Sequence, residues 1–260
     1  ILLCSLLVAG GLFFNTYQQR NASNPPPAVA IVTPTPVEQD QEAVSTPTLA
    51  PTRPVVSVPP IVSADDVPAA YFDTPPRLDG DLGEWAGLTA VSINHITEQK
   101  ESWNGIMDVE AYWQMGWDDE NLYFAVTVKD DIHVQASEPK FAYYGDSLEL
   151  QLDTDRDGDL GPIVNQDDFQ YVVSPGDFAG LRPSAFRFQG NDENWPTDAP
   201  GTAARITAVS TTDGYIIEGA IPWSDMGVRP QGGAVLGAAL SVNDNDKPGV
   251  ADQELLVSHL

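Results

Sequence analysis

The sequence has 260 residues, with 12 lysines and arginines against 38 aspartates and glutamates, so its formal net charge is −26. A chain this acidic argues against nucleic acid as a partner, because phosphate contacts need clustered Lys and Arg, and against docking on anionic lipid headgroups. The single cysteine, Cys4, excludes an intrachain disulfide and a Cys-x-x-Cys redox pair or zinc site. The composition favours neutral, cationic or basic partners.

The N-terminal segment, residues 1–19, carries no charge, and Ile1–Phe14 is almost entirely apolar. A membrane-spanning helix needs about 20 apolar residues, so we predict a transmembrane anchor whose first part lies upstream of Ile1. A cleaved signal segment and a buried helix are the alternatives. An anchor or a signal would place the remainder on the extracytoplasmic side, attached to the membrane or secreted.

The next segment, residues 20–66, is rich in Pro, Thr and Val and contains ten of the 22 prolines. Proline removes a backbone donor and fixes φ, which disfavours helix and sheet interior. We therefore predict a disordered linker that is extended and semi-rigid.

Residues 67–260 show short segments in which apolar and polar residues alternate, which is typical of strands with one buried and one wet face. Turn residues such as Asp213-Gly214 separate them. The pattern predicts one all-β domain, an antiparallel β-sandwich with jelly-roll-like winding, and the apolar end of the sequence predicts continuation beyond Leu260. The expected inward positions are Leu122, Phe124, Val126, Val128, Leu148, Leu150, Leu152, Phe169, Tyr171, Val173, Tyr215, Ile217 and Ile221.

One loop has the composition of a calcium site, because alternate carboxylates around a glycine can wrap a hard cation with oxygen ligands. The predicted structural calcium ligands are Asp153, Asp155, Asp157 and Asp159. Asp167 or Asp168 could close this loop, and Asn243–Asp246 is a second oxygen-rich segment. The alternative for the first loop is a solvated acidic turn.

Five motifs in order along the chain resemble the family 9 carbohydrate-binding modules, within the wider DOMON-like sandwich group. The motifs are Leu78-Asp79-Gly80 with Trp85, Trp117-Asp118-Asp119-Glu120-Asn121-Leu122-Tyr123-Phe124 with Val128-Lys129-Asp130, Gly145-Asp146-Ser147-Leu148-Glu149-Leu150 with Leu152-Asp153, Gly214 to Trp223, and Val242-Asn243-Asp244. The resemblance covers residues 67–260. It implies a calcium-stabilised β-sandwich that binds sugars and is often appended to xylanases and other glycoside hydrolases.

Two site residues are implied by the resemblance: Tyr143 as an aromatic platform for a sugar ring and Glu149 as a hydrogen-bonding carboxylate. The alternation places Glu149 on the polar face of its strand, where a ligand could reach it. We expect Tyr143 to present its ring at the rim of that face, the alternative being a packed edge tyrosine.

Two further tryptophans, Trp103 and Trp195, lie in polar surroundings and are candidates for a substitute platform or for loop anchors. Trp85, Trp117 and Trp223 fall within the strand-associated motifs and are expected in the core. The three histidines show no ligand spacing and are expected on surfaces or loops.

The predicted function is non-catalytic binding of a plant-type polysaccharide or its oligosaccharides, in carbohydrate catabolism. No Ser/His/Asp elbow or phosphate-binding Gly loop is present in the sequence. Three alternatives remain: a calcium-dependent adhesion module that binds protein, an accessory domain of a glycoside hydrolase outside this sequence, and a heme-binding DOMON domain.

Overall fold

The computed structural model describes residues 2–5, 61–62, 66–156, 165–191, 197–199 and 201–259. Within these ranges the chain is built almost entirely of strands, in two facing sheets. The strands are β1 Leu2–Ser5, β2 Ile61–Val62, β3 Asp66–Tyr71, β4 Ala90–Ile93, β5 His95–Glu98, β6 Val109–Trp117, β7 Asn121–Asp130, β8 Ser147–Asp153, β9 Asp168–Ser174, β10 Ser184–Gln189, β11 Thr197–Asp198, β12 Arg205–Ser210, β13 Gly214–Pro222, β14 Val235–Asp244 and β15 Leu255–Ser258. Two 3-10 segments, Leu82–Trp85 and Pro139–Tyr144, and one helical turn, α1 Trp223–Met226, complete the described elements.

The first sheet has the order β11-β10-β9-β8-β14, with antiparallel pairing throughout this run. Beyond β14 the edge is divided, because one half of β14 pairs with β15 and the other half with β1. Strand β15 pairs in turn with β5. The long strands β8 and β14 therefore form the centre of this sheet.

The second sheet has the order β12-β13-β7-β6, and β6 then pairs with both β4 and β3. Strand β2 extends it beside β4. Gly219 of β13 lies opposite Phe124 of β7, and a Cβ at this glycine would come within 2.1 Å of the Phe124 ring. The glycine is therefore required for this pairing.

The core lies between the sheets and contains the predicted inward-facing residues of β7, β8, β9 and β13. Leu148 and Leu150 of the first sheet are fully buried, as are Phe124 and Ile217 of the second. This arrangement confirms the all-β sandwich. Burial of such side chains contributes about 1.5–3 kcal/mol each, which makes this apolar layer the main source of stability.

A buried carboxylate connects the first motif of the sequence to the fourth. Glu218 of β13 accepts hydrogen bonds from the indole Nε1 of Trp85 at 2.9 Å and from the backbone N of Gly80 at 2.6 Å and Asp79 at 3.0 Å. Glu218 and Trp85 are both fully buried. The Leu-Asp-Gly turn and the tryptophan therefore have a structural role, because they fasten the start of the domain to the second sheet.

The predicted N-terminal segment and linker fall mostly outside the described residues. Leu2–Ser5 forms β1, which pairs with β14 and β3, and Ile61–Val62 forms β2 within the predicted linker range. Among the described residues, no helix has the length and apolar character needed to cross a membrane. The anchor and the linker stay predictions.

Candidate functional site

A loop of residues 134–145, which we call the cover, lies on the outer face of the first sheet. Its 3-10 segment Pro139–Tyr144 places Ala142 and Tyr143 against Val172 and Phe188. Tyr143 is 0% exposed. The expectation of an exposed ring at the rim is therefore wrong. The ring packs against apolar side chains on the outer face of the sheet.

Glu149 lies beneath this cover. Leu148 and Leu150 point into the core, so Glu149 points to the outer face, as predicted. It is only 1% exposed, which corrects the expectation of a solvent-accessible carboxylate. Gln170 donates to Glu149 Oε2 at 2.7 Å, and Asn243 donates to Oε1 at 2.8 Å.

The hydrogen-bonded network continues from Asn243 toward the edge of the sheet. The side-chain amide of Asn243 also donates to Ser147 Oγ at 3.1 Å, and its oxygen accepts from Gln253. Gln99 in turn donates to the backbone oxygen of Gln253 at 2.6 Å. Polar groups of β8, β9 and β14 are thus linked with those of two loops, which gives the outer face a fixed array of amides around one carboxylate.

Burial raises the pKa of Glu149 from 4.5 to about 8, against the opposing hydrogen bonds from Asn243 and Gln170. A carboxyl with a raised pKa in the folded state adds stability below its unfolded pKa and loses it as the pH rises through the folded pKa. We therefore expect the melting temperature of the calcium-free protein to fall as the pH rises from about 4.5 through about 8.

Glu149→Gln should reduce this fall, because the glutamine has no proton to lose. Melting curves recorded across the pH series measure the difference, with the partly exposed Glu110→Gln as the matched control. An unchanged pH dependence in Glu149→Gln would contradict the assignment.

The tryptophans singled out in the sequence fall into a buried group and an exposed position. Trp85, Trp117 and Trp223 are 0%, 6% and 2% exposed, which confirms their place in the interior. Trp103 is 38% exposed on the loop between β5 and β6, where a ligand could contact it. Trp195 lies outside the described residues.

The predicted calcium loop is described in part. Asp153 is buried, and its Oδ1 accepts from the backbone N of Arg156 at 2.7 Å. Asp153, Asp167 and Asp168 bring one oxygen each within 4.8 Å of one another, so the expected proximity of the closing carboxylates is confirmed. Asp155 is exposed and not part of this group. Asp157 and Asp159 lie outside the described residues.

A larger group of acids, which we call the acidic cluster, converges at the end of the sandwich where β7 and β14 end and β8 begins. Asp130, Asp244 and Asp246 place one oxygen each within 4.8 Å of one another, and Asp246 forms a second such group with Asp108 and Asp131. Burial, with the nearby carboxylates of Asp146 and Asp246, raises the pKa of Asp244 to about 10. Such a cluster strongly favours a positive charge at its centre.

His133 lies on the loop after β7, as expected, and borders this cluster. Its Nδ1 lies 2.9 Å from Asp146 Oδ2 and 3.5 Å from Asp130 Oδ2. Burial opposes protonation, but the hydrogen bonds that His133 donates to Asp130 and Asp146 raise its pKa to about 10. One imidazolium therefore balances only part of the negative charge.

The acidic cluster has the oxygen-only ligands that calcium prefers. Asp130 is 8% exposed and Asp244 3% exposed. Asp246 Oδ1 is buried without a hydrogen-bond donor in the described part of the chain, and Asp130 Oδ2 has only the distant His133 Nδ1, at 3.5 Å. Buried oxygens without donors are costly, so they fit a cation that would supply the missing interaction.

Sequence reasoning found Asp244 and Asp246 but missed the acids that meet them. Asp130 ends β7 and Asp146 immediately precedes β8, and both occur in motifs quoted above. Only the strand topology could have indicated these acids, because residues at strand ends on the same side of a sandwich lie close together whatever their separation in the sequence.

The described fold and site together define a β-sandwich with a buried carboxylate–amide network on the outer face of its first sheet. The sequence model of the carbohydrate family 9 binding domain-like family matches residues 78–259. The chain therefore belongs to this family of carbohydrate-binding modules, which confirms the resemblance and the prediction of a binding module rather than an enzyme.

The curated relatives are much longer enzymes. The chain is 26% identical over 186 residues to endo-1,4-beta-xylanase A of Thermoanaerobacterium saccharolyticum, which covers 70% of this chain and 14% of the relative. It is 27% identical over 186 residues to exoglucanase XynX of Acetivibrio thermocellus, with the same coverage of 70% and 14%. The chain thus spans about one seventh of the length of these relatives.

Solved structures have the same fold. A family 9 carbohydrate-binding module from Caldicellulosiruptor kristjanssonii in complex with cellotriose superposes with a TM-score of 0.51 at 20% identity, covering 74% of this chain and 82% of that one. A putative carbohydrate-binding protein from Bacteroides uniformis has a TM-score of 0.51 at 10% identity, covering 76% and 88%.

Proposed function

We propose that the chain binds a neutral oligosaccharide on the outer face of the first sheet. Glu149, Gln170 and Asn243 would supply the hydrogen bonds, and Tyr143 the aromatic ring. The observation that carries this proposal is the buried carboxylate–amide network under an aromatic cover, in a chain of a carbohydrate-binding family.

The chemistry of the site suits a sugar. Hydroxyl groups donate to a carboxylate and accept from amides, and the C–H face of a pyranose packs on an aromatic ring. Because Tyr143 and Glu149 are both buried, the cover must shift for a sugar ring to reach the carboxylate. The acidic surface favours a neutral ligand over an anionic one.

The proposed ligands are plant-type β-glucan or xylan fragments. The relatives are named a xylanase and an exoglucanase, and the Caldicellulosiruptor module was solved with cellotriose and with glucose. We infer a role in carbohydrate catabolism as an accessory domain. The apolar residues 1–19 and the Pro-rich residues 20–66 support an extracytoplasmic position, either anchored in the membrane or secreted.

We also propose calcium as a structural ion. Asp130, Asp244 and Asp246 of the acidic cluster would hold one ion, and the group of Asp153, Asp167 and Asp168 is a second candidate position. A bound divalent cation would neutralise carboxylates that otherwise repel each other.

Above about pH 8, where the Glu149 carboxyl is charged, Glu149→Gln should weaken cellotriose binding by about tenfold or more, because a hydrogen bond to a charged acceptor contributes about 1.5–3 kcal/mol. Isothermal titration of the full chain with cellotriose and xylotriose measures the affinity.

Glu138→Gln, an exposed glutamate immediately before the 3-10 segment of the cover, is the matched control and should bind like the unmodified chain. Trp103→Ala tests the exposed tryptophan in the same titration. Absence of heat with any sugar, together with binding to a protein partner, would overturn the proposal in favour of an adhesion module.

A further inference from the structure

The cover is a closed loop whose two ends meet at one side chain, Asp146. The backbone N of Val134, where the cover begins, donates to Asp146 Oδ2 at 2.5 Å, and the backbone N of Asp146 donates back to the oxygen of Val134 at 2.9 Å. The amide of Gln135 donates to the backbone oxygens of Ala142 and Asp146, both at 2.9 Å. The base of the cover is therefore held by the Asp146 carboxylate and one glutamine.

The same carboxylate connects the cover to the acidic cluster. Asp146 Oδ1 accepts from the backbone N of Asn245 at 2.9 Å, and Asn245 lies between Asp244 and Asp246. Its side-chain amide donates to the backbone oxygen of Tyr144, within the cover, at 3.2 Å. The segment that carries two of the clustered acids is thus bonded to the cover at two points.

The cover and Glu149 are also connected through the strands. Asp146 leads directly into β8, which carries Glu149 three residues later, and Asp244 follows Asn243, which donates to Glu149. The position of Tyr143 over the outer face and the position of the Glu149 network are therefore both set by residues bordering the acidic cluster.

We propose, resting on the proposed function, that cation occupancy of the acidic cluster controls the sugar affinity of the outer face. Without a cation, Asp130, Asp146 and Asp244 can be ionised together only against their mutual repulsion, and the base of the cover loosens. With a cation, the base of the cover is fixed, so that only the 3-10 segment Pro139–Tyr144 above it has to shift for a sugar, and less of the cover has to be ordered when the sugar binds.

The expected effect is about tenfold tighter binding of cellotriose in calcium than in EDTA, within the range of typical coupling between two sites. Because such coupling is reciprocal, cellotriose should strengthen calcium binding by the same factor. Calorimetric titrations of the full chain in both directions measure the two factors, and melting curves in each buffer establish that the chain is folded.

Two variants distinguish coupling from a loss of fold. Asp244→Asn replaces a buried carboxyl with an amide and should keep the chain folded in EDTA, with cellotriose affinity that calcium no longer changes. Asn245→Ala leaves every carboxylate in place but removes the side-chain bond to Tyr144, together with those to Val250 and Lys247. Calcium should still raise its melting temperature, while the effect of calcium on sugar affinity should drop below about twofold.

Equal cellotriose affinity of the unmodified chain in calcium and EDTA, with calcium affinity unaffected by the sugar, would overturn the coupling and leave the proposed function intact. Absence of cellotriose and xylotriose binding in both buffers would overturn the proposed function itself.

Discussion

Replacing Glu218 with alanine should lower the free energy of unfolding by at least about 3 kcal/mol, because each buried donor left without an acceptor costs about 1–3 kcal/mol. The variant removes the acceptor of the Trp85 indole and of the backbone N of Gly80 and Asp79. Urea denaturation followed by tryptophan fluorescence measures the loss.

Two matched variants make this result specific to the buried carboxylate. Glu218→Gln keeps the volume and one acceptor oxygen and should have an intermediate stability. Glu110→Ala removes a partly exposed carboxylate that pairs with Lys129 at 2.6 Å and should cost no more than about 1 kcal/mol. A Glu218→Ala variant as stable as Glu110→Ala would show that the first motif is not held by this side chain.

Removing calcium should destabilise the sandwich by about 4 kcal/mol when the free ion had been about 1,000 times its Kd, because an ion that binds only the folded state stabilises it by mass action. Melting curves in calcium and in EDTA measure this difference. A chain with the same melting temperature in both buffers would exclude a structural calcium ion.

The shift in melting temperature that Asp244→Asn causes should have opposite signs in these two buffers. In EDTA it should raise the melting temperature, because the folded chain must keep this buried carboxyl protonated, at a cost in free energy that the amide does not have. In calcium it should lie below the unmodified chain, because a ligand is lost. Asp73→Asn, at an exposed position remote from the cluster, should shift neither curve.

The strands and the core could be predicted because their information is local. The alternation in β7, β8, β9 and β13 assigns the buried face without reference to any partner strand. The burial of Trp85 has a specific acceptor, Glu218, which lies 133 residues away in the sequence. Composition and periodicity could not identify that partner.

The site was harder to predict for two physical reasons. Tyr143 is buried by side chains of β9, β10 and β15, and whether a loop folds back on a sheet depends on these distant contacts. The acidic cluster combines the ends of β7 and β14 with the loops before β6 and β8. The spacing of acidic residues within a single loop therefore indicated only part of the acidic cluster.

The two ends of the sandwich differ in a way that is useful for engineering. The turn that precedes β14 contains Gly232 and Gly233, where an added side chain would meet no atom within 4 Å, whereas β14 finishes at Asp244 in the acidic cluster. Ten extended residues separate these points, a distance of about 30 Å at roughly 3.4 Å per residue. A fluorophore or a surface-attachment tag introduced at Gly232 would thus lie at the end of the sandwich away from the acidic cluster.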